Sequence, residues 1–306
     1  MDHEIPDPSK TNAAAAAVSS TRLNRRRWLK LAGGSLAVSG LGLGAYAWRV
    51  EPHWIDLVGR KLSIKNLPSD LAGKRLVQIS DLHIGPVVDL AYIKAALDRV
   101  ARLEPEIVVI TGDFVTADRR GRLAEAAQAL AQQPLASRAT LAVLGNHDYG
   151  EGFHDRHLAD ELTTRLRDSG VTLLRNEAHD VDGLLVAGID DLWSPRFSPR
   201  EVAELFEQQT PSLVLAHNPD TCDLPLWGDY DGWVLSGHTH GGQCRIPGLP
   251  PPVLPVRNKR YVAGEYALAG GRRLYINRGL GYLRRVRFAA RPEITVFVLE
   301  RRADPA

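Results

Sequence analysis

The chain reads RLVQISDLH from Arg75 to His83, a short apolar run that ends in an aspartate and a histidine. Four more stretches have the same form: EIVVITGD (106–113), TLAVLGNHD (140–148), SLVLAHN (212–218) and WVLSGHTHGG (233–242). Such short apolar runs are typical of strands that are buried on both faces of a sheet. Polar groups that directly follow these strands lie where open α/β sheets place their ligand sites. The sequence therefore predicts one site that is built from five strand ends.

The segments between and after these runs complete an α/β pattern. Helical spacing predicts four helices, at 90–103, 122–133, 155–169 and 199–209, and further apolar runs predict strands at 184–189, 274–276 and 294–299. Strands that alternate with amphipathic helices favour a layered α/β sandwich with the helices on the outside. We find no internal repeat and no second domain, so a single catalytic domain is expected.

Composition excludes several classes of protein. The 306 residues are 44% hydrophobic and 24% charged, which is typical of a folded globular chain. A net charge of +2 does not indicate a nucleic-acid partner, and none is expected. Two cysteines, Cys222 and Cys244, are too few for a disulfide scaffold or a four-thiolate zinc site. Whether these two pair is open at this point, with unpaired thiols favoured.

The first 47 residues have the pattern of an export segment. A basic stretch, NRRRWLK at 24–30, precedes the apolar, glycine-rich run 31–47. The arginines followed by Trp28 and Leu29 resemble a twin-arginine signal, and an uncleaved membrane anchor is the alternative. We expect residues 1–47 to be this signal or anchor, 48–70 to be a lead-in segment with the first strand, and 71–306 to be the catalytic domain.

The residues at the strand ends are metal-ligand types. Carboxylates, imidazoles and one amide suit hard-to-borderline divalent cations, and there are too many of them for one ion. Two cations that share a bridging carboxylate are a recurring solution for phosphoester hydrolysis. The strand-end residues of these types are the histidines His83, His147, His217, His238 and His240, the acids Asp81, Asp113 and Asp148, and the amide Asn146.

These blocks, in this order, resemble the calcineurin-like metallophosphoesterases. The GHTHGGQ block at 237–243 and NRGLG at 277–281 are similar to the bacterial YkuE/YaeI-type phosphodiesterase branch. The resemblance implies a four-layer αββα sandwich and a dinuclear phosphoesterase in which a hydroxide that bridges the two metals attacks phosphorus. The metals that it implies are Mn, Fe or Zn, without a choice among them.

The family pattern also implies a role for each residue. Asp81, His83 and His240 go to one metal, Asn146, His217 and His238 to the other, and Asp113 bridges both. His147 is expected to stabilise the transition state or to protonate the leaving oxygen, and Asp148 is expected to orient the His147 imidazole.

The expected function is hydrolysis of a phosphoester or pyrophosphate bond at the cell envelope. A lipid hydrolase that acts like a UDP-2,3-diacylglucosamine pyrophosphatase remains an alternative, as does a non-catalytic metal-binding scaffold. A basic segment, YLRRVR at 282–287, suggests contact with an anionic membrane, although a solvated basic face is nearly as good an explanation. The expected partners are thus the phosphoester substrate, the membrane surface and the twin-arginine export machinery. In the lipid alternative, the phosphoester is linked to a lipid.

The export prediction is tested by charge-conserving substitution. Arg25→Lys with Arg26→Lys keeps the positive charge but removes the arginine pair, so the chain should accumulate in the cytoplasm. Cell fractionation followed by immunoblotting measures this. Because Arg27 offers a shifted pair, the decisive variant has lysine at 25, 26 and 27, and its unchanged export would contradict a twin-arginine route.

Overall fold

The computed structural model describes residues 24–116, 121–132, 134–208 and 210–302. Residues 1–23 of the predicted signal, the predicted helix ends Gln133 and Gln209, and residues 303–306 lie outside the described residues. The chain divides into two compact units, 1–44 and 45–306. In the first, helix α1 (Arg25–Ala45) has no buried side chain. Among the described residues, no helix combines the length and the apolarity that crossing a membrane requires.

The unit 45–306 contains twelve described strands and four further described helices. The helices are α2 (Leu90–Ala101), α3 (Gly121–Ala131), α4 (Arg156–Asp168) and α5 (Pro199–Gln208). The strands are β1 (Asp56–Ile64), β2 (Arg75–Ile79), β3 (Ile107–Thr111), β4 (Ala139–Val143), β5 (Thr172–Leu173), β6 (Glu177–Val181), β7 (Leu184–Ile189), β8 (Leu213–Ala216), β9 (Trp233–Ser236), β10 (Gly264–Ala267), β11 (Arg273–Ile276) and β12 (Glu293–Arg301).

The strands form two mixed six-stranded sheets. The first has the order β1-β12-β2-β3-β4-β5 and the second has the order β10-β11-β9-β8-β7-β6. In the first sheet, every pair is parallel except β12 with β2. In the second, the central strands β11, β9, β8 and β7 are parallel and each edge strand is antiparallel to its neighbour. The carboxyl ends of β2, β3 and β4 therefore share one edge, and those of β8 and β9 share another.

Alternation along the central strands builds the layers. On β3, Val108 and Ile110 pack with α2, α3 and α4, whereas Ile107 and Val109 face the second sheet. The opposite face of the second sheet packs against α5 and the loops around Trp227. All four β3 side chains are fully buried, as a strand sandwiched between two layers requires. The predicted four-layer αββα sandwich is confirmed.

The eight apolar runs all form strands, but the sequence missed β5, β6 and β10 and placed β1 only within 48–70. Strand β6 reads EAHDV, and only Val181 of its five side chains is buried. It lies at the edge of its sheet, as β5 and β10 do. An edge strand buries little of its surface, so its apolar signal is weak. Hydrogen bonding to a neighbouring strand, rather than residue type, defines these strands.

The basic segment 282–287 is not a continuous surface, which corrects part of the membrane prediction. Tyr282 and Arg287 are fully buried, whereas Leu283 and Arg284 are exposed. The Arg287 guanidinium donates hydrogen bonds of 2.7–3.1 Å to four main-chain carbonyl oxygens, those of Arg278, Gly279, Gly281 and Ala290. Arg287 therefore holds its own loop together and cannot contact a bilayer.

Candidate metal centre

The strand ends bring the predicted ligands to one place. Asp81 and His83 follow β2, Asp113 follows β3, and Asn146 and His147 follow β4; His217 follows β8, and His238 and His240 follow β9. Main-chain hydrogen bonds tie these loops together: the Asp81 nitrogen donates to Gly112 O (2.9 Å), the His83 nitrogen to Asp113 O (2.9 Å) and the Gly237 nitrogen to His217 O (3.0 Å). Both sheets therefore contribute to a single centre.

Six of the side chains form two triads of buried ligand atoms. Asp81, His83 and His240 make the first triad, and Asp113, His217 and His238 make the second. In the first, Nε2 of His240 lies 3.3 Å from Asp81 Oδ1 and 3.0 Å from Nε2 of His83. In the second, Nε2 of His217 lies 3.1 Å from Nδ1 of His238. Within each triad the ligand atoms lie within 4.8 Å of one another.

Asp113 lies between the triads. Its Oδ2 is 3.2 Å from Nε2 of His217 in the second triad and 3.5 Å from Nε2 of His83 in the first. Its Oδ1 accepts a hydrogen bond of 2.9 Å from the main-chain nitrogen of His147. One oxygen is thus anchored by the backbone, while the other faces both groups of histidines.

The second ring nitrogen of three histidines is held by an oxygen. Nδ1 of His217 contacts Thr111 O at 2.6 Å, Nδ1 of His83 contacts the Thr116 hydroxyl at 2.9 Å and Nε2 of His238 contacts Pro255 O at 2.7 Å. A carbonyl oxygen only accepts, so His217 and His238 donate their N–H there. The other ring nitrogen of each then faces the centre, which is the usual orientation of a histidine around a protein-bound metal.

Burial sets the protonation of most of these groups. It lowers the pKa of His83 and of His238 to about 3, and that of His240 well below its usual range, so all three are neutral donors at physiological pH. Burial alone would raise the pKa of Asp113, but the facing His217 and His147 hold it well below its usual range. Three neutral imidazoles beside an ionised carboxylate are protonation states that divalent cations require. For His217 the facing Asp113 outweighs burial and raises the imidazole pKa well above its usual range.

One buried polar atom of the centre has no partner among the described residues. Asn146 is 1% exposed, and its Oδ1 accepts no hydrogen bond from any described group. A buried amide oxygen without a partner is costly unless something else satisfies it. The donor set of the centre therefore suits a bound cation, with Asn146 Oδ1 available as an oxygen donor in addition to the two triads.

The backbone of the site is strained in a consistent way. Five of the six triad residues have a positive φ: Asp81 (52°), His83 (48°), Asp113 (55°), His238 (70°) and His240 (50°). Non-glycine residues rarely adopt this conformation, which costs about 1–3 kcal/mol each and clusters at functional sites. The left-handed conformations therefore cost local stability, and they direct these side chains toward the same centre.

His147 and Asp148 have different surroundings. His147 is only partly buried, with its ring edge-on to that of His83 at 5.1 Å between centroids. Asp148 is fully buried, but its Oδ1 accepts from Val115 N at 3.1 Å and its Oδ2 from Gly145 N at 2.8 Å. The expected contact between Asp148 and the His147 imidazole is not formed among the described residues. Asp148 instead holds the loop after β4 in place, because each of its carboxylate oxygens accepts a hydrogen bond from a main-chain N–H group.

A model of the family described as calcineurin-like phosphoesterase matches residues 74–242, which include every residue of both triads. The chain belongs to the calcineurin-like phosphoesterase family. It is 34% identical over 282 residues to phosphodiesterase YaeI of Escherichia coli, covering 90% of this chain and 99% of the relative. It is 31% identical to the uncharacterized metallophosphoesterase YkuE of Bacillus subtilis, covering 91% and 98%.

A third relative has a lipid-related name. The UDP-2,3-diacylglucosamine pyrophosphatase LpxG of Chlamydia trachomatis is 29% identical to this chain, covering 81% of it and 90% of the relative. The family match and these relatives, together with the two triads, identify the chain as a metal-dependent phosphoester hydrolase. The superfamily and the YkuE/YaeI branch that the sequence predicted are thereby confirmed.

Sequence reasoning missed three residues at this calcineurin-like phosphoesterase centre. Asp191 is 1% exposed, its Oδ2 has no partner among the described residues, and burial raises its pKa to about 7. It follows β7, so the strand-end pattern that located the others could have found it. Trp193 meets His238 edge-on at 4.6 Å and stacks on Phe153 at 5.8 Å, and Phe153 meets His147 edge-on at 5.1 Å. No sequence pattern indicated that aromatic contact.

The histidines and cysteines outside the blocks belong to neither described triad. His154, His157 and His179 are exposed, and His53 is half-buried with Nε2 3.1 Å from the Tyr282 hydroxyl. His3 lies outside the described residues. Cys222 and Cys244 are both free, so the favoured interpretation of unpaired thiols is confirmed.

The loop that carries Gly145 lies so close to Asp113 that an added methyl group at position 145 should disturb the metal centre. Gly145 has φ −105° and ψ 177°, which alanine adopts freely, but a Cβ there would lie 2.6 Å from Asp113 N and closer still to the Asp113 carboxylate. Gly145→Ala should therefore displace Asp113 and lower the metal content of the purified chain. Elemental analysis after metal loading measures this. Gly59→Ala is the matched control, because a Cβ there meets nothing within 4 Å; equal metal loss in both variants would contradict the packing argument.

Proposed function

We propose that this chain is a phosphodiesterase that holds two divalent cations and shares Asp113 between them. Asp81, His83 and His240 would hold one cation, and Asn146, His217 and His238 the other. The observation that carries the proposal is the position of Asp113 Oδ2, within 3.5 Å of a histidine nitrogen of each triad. A non-catalytic scaffold would not need a shared, fully buried carboxylate that faces histidines of both triads.

The reaction would be hydrolysis of one phosphoester bond. The oxygen of a water forms a bond to phosphorus, the bond from phosphorus to the ester oxygen breaks, and a proton goes to the departing oxygen. Two cations bound at this centre would acidify the attacking water and offset the negative charge on the phosphoryl oxygens. The contribution of the chain is to hold those cations at fixed positions and to exclude bulk water from the buried ligand atoms.

His147 is the residue that we assign to the proton transfer. It lies at the edge of the centre, more exposed than any triad residue, so a substrate can reach its ring. Its main-chain nitrogen is bonded to Asp113 Oδ1 and its ring lies between those of His83 and Phe153. These contacts orient the imidazole without a carboxylate partner. A ring nitrogen of His147 would give its proton to the departing oxygen.

A lipid-linked pyrophosphate is the second candidate substrate. The name of the Chlamydia relative supports it, as does the exposure of Leu249 (61%), Val253 (72%) and Leu283 (42%) on loops that adjoin His240 in sequence or space. The membrane surface remains a proposed partner, contacted by Leu283 and Arg284 rather than by Arg287.

We also propose that the protein is exported by the twin-arginine route and works at the outer face of the cytoplasmic membrane. Support comes from Arg25, Arg26 and Arg27 ahead of an apolar helical segment. The buried triads are consistent with this route, because ligands from five distant segments come together only after folding, and twin-arginine signals direct folded cargo.

Replacing the shared carboxylate tests the dinuclear proposal. Asp113→Asn keeps the volume but removes the charge that two cations share, so metal content and turnover of a soluble phosphodiester should both fall sharply. Elemental analysis and a chromogenic diester assay measure the two quantities. His179→Ala, an exposed change on β6, should alter neither. Wild-type turnover by Asp113→Asn after chelation and metal add-back would refute the assignment.

Replacing His147 separates catalysis from metal binding. His147→Gln should retain the full metal content, because His147 belongs to neither triad. Turnover should fall by about 10²–10⁴-fold, the usual contribution of general acid–base catalysis. Loss of metal in parallel with rate would instead make His147 a ligand or a structural support.

A further inference from the structure

A mostly apolar cavity of about 390 Å³ opens beside the first triad. Its walls include the side chains of Pro252, Val253, Pro255, Leu283 and Val286, and His240 also lines it. The volume is within the usual range of small-molecule binding sites. Because Nε2 of His240 belongs to the first triad, a molecule that fills the cavity ends next to the proposed metal position.

Two loops that are distant in sequence form this cavity and are pinned to each other. The Gln243 side chain donates to Arg284 O at 2.9 Å, and the Arg245 main-chain nitrogen donates to Phe288 O at 2.7 Å. The fully buried Arg287 guanidinium stabilises the 282–288 loop through its hydrogen bonds to main-chain carbonyl oxygens. The cavity is therefore supported by main-chain hydrogen bonds, so it is more than a gap between mobile surface side chains.

Two of the polar side chains in the wall are already hydrogen-bonded. The Thr239 hydroxyl donates to Val262 O at 2.6 Å, and the Gln243 amide nitrogen is bonded as described above. Burial raises the pKa of Cys244, so its thiol is neutral and a weak hydrogen-bond donor. A sugar or a nucleobase would find few free hydrogen-bonding groups here, whereas a hydrocarbon chain needs none.

The mouth of the cavity is apolar with a cation at its edge. Val253 is 72% exposed and Leu283 is 42% exposed, and the same loop as Val253 carries exposed Ile246 and Leu249. Arg284 lines the opening and is exposed. Val253 and Leu283, two exposed large apolar side chains that line the same cavity, mark a binding surface rather than ordinary scatter.

We propose that this cavity binds the hydrocarbon chain of the substrate, so that the enzyme prefers phosphoesters that carry an alkyl or acyl tail. The inference rests on the proposed function, because it assumes that phosphorus lies at the triads. The tail would extend from phosphorus past His240 and end between Val253 and Leu283, with Arg284 facing the anionic part of the molecule or its neighbours.

A homologous series of esters measures the preference. The full-length chain, loaded with metal in detergent-free buffer, is assayed with p-nitrophenyl alkyl phosphodiesters from methyl to decyl, below their micelle concentrations. The kcat/KM should rise by up to about fourfold for each methylene that the cavity fully buries. A kcat/KM that does not change with chain length, in an enzyme that hydrolyses the methyl ester, would overturn the cavity proposal and leave the proposed function standing.

Matched double variants assign the effect to this cavity. Val253→Gln with Leu283→Gln adds polar groups to its wall, and both side chains are exposed enough for the fold to tolerate the change. The decyl-to-methyl ratio of kcat/KM should fall at least tenfold. Leu57→Gln with Val298→Gln changes the same two residue types on exposed positions of β1 and β12 and should keep the wild-type ratio. An equal fall in both double variants would contradict the proposal.

A binding measurement is independent of turnover. Calorimetric titration of the metal-loaded chain should show tighter binding of decylphosphonate than of methylphosphonate, with a negative heat-capacity change from apolar burial. The Val253→Gln, Leu283→Gln variant should lose this difference. If no ester is hydrolysed but decylphosphonate still binds more tightly, the phosphodiesterase proposal fails and the cavity proposal stands. Equal affinity for both phosphonates would overturn the cavity proposal.

Discussion

The structure depends on keeping the Asp113 carboxylate ionised where water cannot reach it. A charged group in the interior is strongly disfavoured unless other groups compensate for its lost hydration. Here the main-chain nitrogen of His147 bonds one oxygen, and His217 and His83 approach the other. Each of these groups is held in turn by a loop that the sheets position. The sheet topology, the strained backbone and the buried loops can all be understood as ways to hold this one carboxylate.

The packing of two sheets face to face satisfies that constraint. A single open sheet would present its strand ends along one line, and its ligand loops would lie on one side of Asp113 only. In this fold β2, β3 and β4 approach from one sheet and β8 and β9 from the other, across a fully buried core that includes Ile107, Val109, Leu213 and Leu235. That core is rigid because it is densely packed. The distances between ligand atoms are therefore set by contacts well away from them.

The two sides of the centre differ in chemical character. On the side of His238, the Trp193 ring contacts His238 edge-on and stacks on Phe153. The Phe153 ring in turn contacts His147 edge-on. On the side of His240, the neighbouring surface is the aliphatic cavity between the 244–255 and 282–288 loops. The two triads contain the same residue types but thus have unlike surroundings. In the proposed reaction, this arrangement would distinguish the two substituents of a phosphodiester, since the His240 side offers space with few free hydrogen-bonding groups.

The sequence by itself determined the non-edge strands of the two sheets and the candidate ligands. Buried strands need uninterrupted apolar residues, and metal ligation needs particular side-chain types directly after them, so both leave a local pattern. Asp191 follows the same rule at the end of β7 and could have been included. The edge strand β6, by contrast, has no such pattern, because its partner strand rather than its composition defines it.

Only the tertiary structure decided which ligands face each other, and it changed the interpretation of several charged residues. Arg287 is basic in the sequence but is buried against four carbonyl oxygens, and Asp148 binds two main-chain nitrogens instead of the neighbouring imidazole. The aliphatic cavity likewise arises from two loops that are far apart along the chain. Local sequence reports what a residue can do, whereas burial and partners depend on which distant segments the fold brings against it.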